Sequence, residues 1–256
     1  MQILDGQSLS QQITNDLINK IKSLKIIPTL AVVLVGDDPS SLKYINLKIK
    51  KSLKLNIPTQ FHHLAQNTDQ STIIQLIKNL NQDPQTTAFF VQLPLPPHID
   101  KNQILNLISP TKDVDGLNPT SKITPAVVLG IIKLLKYYKI NFTDKKIVII
   151  NDSPLIGQPL KKYFEKQGAF VTLANDQTQN LNLLTSSADI LISATGVKNL
   201  ITADMVKQGS VVVDVASGDV DFDNVAPKTS YITPTFGGVG PMTVISLFEN
   251  LLSLAS

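Results

Sequence analysis

Tyr44 and Lys48 stand four residues apart in PSSLKYINLKIKKSLKL, a stretch whose apolar residues recur at helical spacing, so the two share one helix face. Read catalytically, the pair offers a proton-relaying amine beside an aromatic ring. Read alone, it is ordinary surface decoration. In VQLPLPPHID, Gln92 ends a buried apolar run, the position at which open α/β sheets place their ligands, and the prolines after it stiffen the exit. In KDVDG, Asp113 and Asp115 fall in a glycine-containing turn, exposed enough to receive a ligand; the same letters also describe a plain turn. VIINDSPLIGQPL, Val148 to Leu160, has the outline of strand, tight turn and helix that cradles a pyrophosphate, but it opens on Asn151-Asp152 rather than glycine.

Positioning these groups requires an alternation of strands and helices, and the pattern supplies it. LAVVLV (Leu30–Val35) and AFFVQL (Ala88–Leu93) read as buried strands, with PSSLKYINLKIKKSLKL and STIIQLIKNL as helices between them. Asp38-Pro39 is a helix start, Asp as N-cap and Pro at the first position, and Asp100 caps a further helix, KNQILNLI, that Pro110 closes. In the second half KIVII, AFVTL, DILISA, SVVVDV and SYIT recur roughly every twenty residues, the spacing of parallel βα units. TPAVVLGIIKLLKYYKI predicts a long connecting helix, and FGGVGPMT leads into a short amphipathic one, VISLFENLLSLA. The expected architecture is two three-layer α/β domains with a cleft between them, the second a Rossmann-like parallel sheet. The expected boundaries are residues 1–122, with a C-terminal helix 241–256 returning to that domain, and 123–240.

Composition removes several alternatives. The chain has 256 residues, 43% apolar and 17% charged, enough for one large or two small cores. Its net charge of +3 is scattered, which argues against nucleic acid or an anionic membrane as partner. The lysines at 48, 50, 51 and 54 read mostly as a solvated helix face. Without cysteine there is no disulfide, thiolate metal site or cysteine nucleophile, and three histidines at 62, 63 and 98 are too poorly spaced for zinc. No metal is expected. MQILDGQSLSQQ lacks a signal-peptide pattern, and Lys133 and Lys136 interrupt the best apolar run, so a soluble cytoplasmic protein is expected.

Taken together, ILDGQSLSQQI, LAVVLVGDDPSSLKYINLKIK, VQLPLPPHID, PTKDVDGLNP, LITADMVKQGSVVVDV, GDVDF and ITPTFGGVGPMT resemble, in order and across nearly the whole chain, the FolD family. Its members are bifunctional methylenetetrahydrofolate dehydrogenases and methenyltetrahydrofolate cyclohydrolases. The resemblance implies tetrahydrofolate derivatives as substrates, a site between the domains and a homodimer. It implies that Lys48 is the central catalytic residue, that Tyr44 packs against the folate rings, that Gln92 hydrogen-bonds and orients the lysine, and that Asp115 binds the pterin edge. Leu93 would join the substrate site, and Gly237, Gly238 and Pro241 would let a closing loop approach the ligand. Such residue types suit the chemistry. A lysine partly withdrawn from water can relay protons while water adds to a cationic methenyl carbon, and a carboxylate accepts two bonds from a donor-rich pyrimidinone edge.

On the nucleotide side the chain departs from the family, which carries Gly-Arg-Ser where this sequence has Asn151-Asp152-Ser153, followed here by Ile156-Gly157-Gln158-Pro159. Asparagine is the best non-glycine choice for a left-handed turn position. Asp152, standing where an arginine would hold the 2′-phosphate of NADP, repels it at a cost of roughly 1–4 kcal/mol. Asp176, in LANDQT, lies close to where an acidic residue accepts the ribose 2′-hydroxyl of NAD; Asn175 and Asp176 also read as a plain loop. The cofactor is therefore NADP by family and NAD by charge, with Asn151, Asp152, Ser153, Gly157, Pro159 and Asp176 as its contacts. The loop after KDVDG is short, ASGDVDF replaces a Gly-Ile-Asn segment, and Phe236 stands where proline is usual. Two alternatives accompany the bifunctional reading: a cyclohydrolase with a degenerate nucleotide site, and a non-catalytic folate-binding partner protein.

Overall fold

The chain opens with a two-residue strand, β1 (Gln2–Ile3), and a helix, α1 (Gly6–Lys22), before the first predicted strand, β2 (Leu30–Val35), begins. This computed structural model describes residues 1–255; residue 256, included in the expected C-terminal helix, lies outside them. All six residues of β2 are buried, as an unbroken apolar run must be when both sheet faces are covered. Helix α2 (Pro39–Lys54) follows, started as its sequence predicts: the Asp38 carboxylate accepts from Ser41 N at 2.7 Å and Pro39 occupies the first turn. Strand β3 (Thr59–Leu64), helix α3 (Gln70–Gln82), strand β4 (Ala88–Val91) and helix α4 (Lys101–Leu107) complete this part, with Asp100 capping α4 through Gln103 N at 3.0 Å.

The three strands pair in parallel in the order β3-β2-β4. β3 is absent from the sequence reading because TQFHHL is polar; as an edge strand it needs no continuous apolar face. β4 ends at Val91, so Gln92 and Leu93 lie just beyond it. Along its free edge, Phe89 N donates to Lys112 O at 2.9 Å and Phe89 bridges to Asp113, so KDVDG is fastened beside the strand.

Helix α5 (Ala126–Tyr137) is shorter than its apolar pattern predicts; Lys139, with φ of 56°, ends it. Then come β5 (Lys146–Ile150), α6 (Gly157–Lys166), β6 (Phe170–Ala174), α7 (Leu181–Thr185), β7 (Ile190–Ser193), β8 (Val211–Asp214), α8 (Phe222–Val225) and β9 (Tyr231–Ile232). These strands are parallel in the order β1-β9-β8-β7-β5-β6, a doubly wound sheet extended at one edge by the N-terminus. Val148, Ile150, Leu191, Val212 and Ile232 form its core with Ile201, Val220 and Val225. The last helix, α9 (Val239–Leu254), starts earlier than predicted. Nor is it a surface amphipathic helix: Met242, Ile245, Leu247, Phe248 and Leu251 are fully buried.

The chain forms two compact units. One comprises Met1–Gln12 and Val127–Thr243, the other Ile13–Ala126 and the residues from Val244 on. The first twelve residues belong with the six-stranded sheet because β1 pairs with β9. Among the described residues, no helix is long and apolar enough to cross a membrane.

Candidate functional site

In the three-stranded unit, α2 buries Ser41, Ile45, Lys48 and Ser52, one stripe along the helix. Lys48 is its one charged member, so the lysine run is no uniform solvated face. Its side chain is 6% exposed, and its ammonium lies 3.2 Å from Asp115 Oδ2 and 3.8 Å from the centroid of the Phe90 ring. Lys51 is half-buried and donates to Thr14 Oγ1 at 2.8 Å. Tyr44, one turn before Lys48, is half-buried as well.

Asp115 reaches Lys48 because its turn is built to hold it. Asp113, expected to be exposed, is fully buried, and its carboxylate accepts from Leu117 N at 3.0 Å and Asn118 N at 2.8 Å. Burial pushes its carboxyl pKa up, and those backbone donors offset only part of the rise. Asp113 is thus the fastening of the turn and Asp115, with 18% of its side chain exposed, is the residue left open to a ligand. Gly116 adopts φ of 68°, and a side chain there would meet the backbone of Pro125 at 2.8 Å.

Gln92 sits at the end of β4, on the same strand face as Phe90. It does not hydrogen-bond Lys48 as expected: its Nε2 donates to Leu93 O at 2.7 Å, and its buried Oε1 has no protein partner among the described residues. An acceptor held without a partner costs about 1–3 kcal/mol, and a ligand donor would relieve that. The Leu93–Pro94 peptide bond is cis. Phe90 is the site residue that sequence reasoning overlooked; its signal was the i, i+2 spacing to Gln92.

In the six-stranded unit, the sheet reverses its winding between β5 and β7, and Asn151 marks that point, its Nδ2 donating to Ala194 O at 2.9 Å. Asn151 does not take the left-handed conformation expected of it, since it is absent from the positive-φ residues. It holds the turn through its amide instead: Oδ1 accepts from Ser153 N at 3.0 Å, Ser153 Oγ at 2.6 Å and Gly157 N at 3.2 Å. Gly157 is required there, because a Cβ would lie 1.9 Å from Asn151 O. Pro159 stands in the first turn of α6, where its missing N–H costs nothing.

Asp152 is exposed, and its Oδ2 accepts from Asn175 Nδ2 at 2.9 Å, which ties the β5 exit to the loop after β6. That partner is neutral, and among the described residues Asp152 forms no ion pair. Asp176 is exposed at the tip of the same loop. Behind them, Asp219 binds the β7 exit through Ser193 Oγ at 2.6 Å, Thr195 N at 2.7 Å and Gly196 N at 2.9 Å. Asp214 does the same for the next loop through Ser217 N and Gly218 N, both at 2.8 Å, and burial raises its pKa. Asp214, just before ASGDVDF, and Asp219, within it, are therefore two buried carboxylates that shape two loops. Gly237 and Gly238 precede α9, with Gly237 O accepting from Gln7 N at 2.8 Å, whereas Pro241 lies inside the first turn of α9 rather than in a loop.

Comparison with known proteins places both units. Residues 4–115 match the tetrahydrofolate dehydrogenase/cyclohydrolase catalytic domain, and residues 125–256 match the NAD(P)-binding domain of the same family. The bifunctional protein FolD of Lactobacillus acidophilus is 43% identical over 272 residues, covering 98% of this chain and 96% of that protein. The solved structure of bifunctional FolD from Campylobacter jejuni is 42% identical with a TM-score of 0.94, covering 100% of this chain and 98% of the other. The Trypanosoma brucei enzyme, solved with NADP and an inhibitor, is 28% identical with a TM-score of 0.94, covering 98% and 96%.

Proposed function

The chain belongs to the tetrahydrofolate dehydrogenase/cyclohydrolase family and is a bifunctional enzyme of that kind, and we propose that Lys48 drives its cyclohydrolase reaction and that its dehydrogenase reaction prefers NAD. The substrates are then 5,10-methylene-, 5,10-methenyl- and 10-formyltetrahydrofolate. The observation that carries the first claim is the setting of Lys48. Its ammonium, with three donors to share, has Asp115 as hydrogen-bond partner and the Phe90 ring as cation–π partner, which leaves donor capacity for a ligand. Water adds to the cationic methenyl carbon and loses a proton; the ring nitrogen gains one as the ring opens to the formyl product. Lys48 is placed to move those protons, Asp115 to hold the donor-rich edge of the substrate, and Tyr44 and Leu93 to flank its rings. Gln92 Oε1, an acceptor without a partner, is offered to the same ligand.

The turn after β5 fits a dinucleotide in shape: the close approach of Gly157 to Asn151 is the packing that such turns use, and it lies at the reversal of the sheet. It does not fit a 2′-phosphate, because Asp152 presents negative charge. Asn151, Ser153, Gly157 and Pro159 would hold the cofactor, and Asp176 would accept a ribose hydroxyl. NAD, when bound, would supply the hydride acceptor for oxidation of the methylene carbon. A pyrophosphate at this turn must compete with Asn151 Oδ1 for the N–H groups of Ser153 and Gly157.

A homodimer is supported by the free edge of β3, which exposes Phe61 stacked on His63, and by Leu47 and Leu53 on the outer face of α2. Sedimentation should give twice the chain mass of 27.9 kDa, and Phe61→Asp should shift it toward monomer.

Hydrolysis of methenyltetrahydrofolate, followed by absorbance without nucleotide, tests the catalytic assignment. Lys48→Met should lose at least about a hundredfold in rate, the scale of general acid–base catalysis. Retained activity would end the claim for Lys48.

A further inference from the structure

Phe90 has no polar atom and was not among the residues expected to do chemistry, yet it holds one side of the lysine that does. It is fully buried on β4. Its ring face, 3.8 Å from Lys48 Nζ, closes off the direction from which water would otherwise hydrate the ammonium. Asp115 Oδ2 stands at 3.2 Å as the ammonium's one ionic partner among the described residues. An ammonium that loses most of its hydration needs compensation on more than one side, and the negative face of an aromatic ring supplies it where an aliphatic side chain cannot.

We infer that Phe90 is a positioning residue for the cyclohydrolase reaction, its ring face sharing the Lys48 charge with Asp115 so that the lysine keeps a donor, and the aspartate an oxygen, free for substrate. With an aliphatic side chain at 90, Asp115 becomes the sole partner of the ammonium. Lys48 then turns fully onto the carboxylate, which withdraws the donor from the reacting carbon and occupies the oxygens meant for the substrate edge. The ring thus limits the ion pair as well as supporting the charge. This inference rests on the assignment of Lys48 above.

The test replaces Phe90 with phenylalanines carrying one, two and three ring fluorines, which drain the ring face of negative charge while nearly preserving its shape, and adds Phe90→Leu. Methenyltetrahydrofolate hydrolysis is measured on the full-length enzyme for kcat and KM separately. The expected result is a stepwise fall in kcat across the fluorine series, reaching roughly tenfold, which corresponds to ~1.4 kcal/mol. Phe90→Leu should lose at least as much. KM should rise along the same series, because Asp115 then has less of its carboxylate free for the substrate edge. A flat kcat across the fluorine series overturns the inference, whether or not Phe90→Leu folds, because a purely steric role is indifferent to fluorination. Lys48→Met in the same assay separates the two claims. If it is inactive while the fluorine series is flat, only the role of Phe90 falls; if it is active, the reading of Lys48 falls first.

Discussion

At position 48 a positive charge sits in nearly closed surroundings, and the neighbours that make it tolerable are the ones that make it useful. Removing either partner of a buried pair typically costs about 3–5 kcal/mol, because the other charge stays behind. Lys48, Tyr44 and Asp115 were singled out through the family resemblance, since their local spacing alone reads equally as surface decoration and a plain turn. Phe90 was not, because its one signal, the i, i+2 spacing to Gln92, shows a shared strand face but not that this face meets α2. Asn151 was read correctly as the keeper of its turn and wrongly as to means, because Asx side chains can satisfy a turn without a left-handed backbone. Asp152 carries the sharpest prediction at this scale. Asp152→Ser should raise kcat/KM for NADP relative to NAD by about tenfold or more, as removal of a like charge near a phosphate implies. An unchanged ratio from parallel steady-state assays would show that Asp152 does not face the 2′ position.

The elements explain why such a site survives a divergent sequence. Capped helices and unbroken apolar strands were readable because each signal lies within a few residues, as Asp38-Pro39 before α2 and LAVVLV in β2 show. β3, a polar edge strand, and β1, two residues completed by β9, owe their existence to distant partners and left no local trace. The α6 entrance is the element most sensitive to change. Gly157→Ala would push a methyl group into Asn151 O, and overpacking of that kind typically costs about 1–3 kcal/mol. Denaturant unfolding should show that loss, together with weaker nucleotide binding by calorimetry. A variant as stable as the parent, with unchanged binding, would mean that the turn opens more easily than its geometry suggests.

Across the whole molecule, Asp113 and Asp214 leave a mark on stability. Burial raises both carboxyl pKa values above the ordinary 3.8, so in the window just above that value the folded chain holds protons that the unfolded chain has released. Unfolding free energy therefore falls as pH rises through the window. Asp5, bonded to Ser8, and Asp189, bonded to Lys207, are lowered instead, and their contribution disappears as pH falls below 3.8. Denaturant unfolding should thus show stability declining from about pH 4 upward, less steeply in Asp214→Asn; equal slopes would contradict the burial argument.

The same scale holds the central claim, that a folate enzyme of this family keeps both activities while its nucleotide turn has changed allegiance. Oxidation of methylenetetrahydrofolate measured with NAD and NADP in parallel tests it most directly. NAD should be favoured in kcat/KM by about tenfold or more. A preference for NADP, or no oxidation with either, would contradict it.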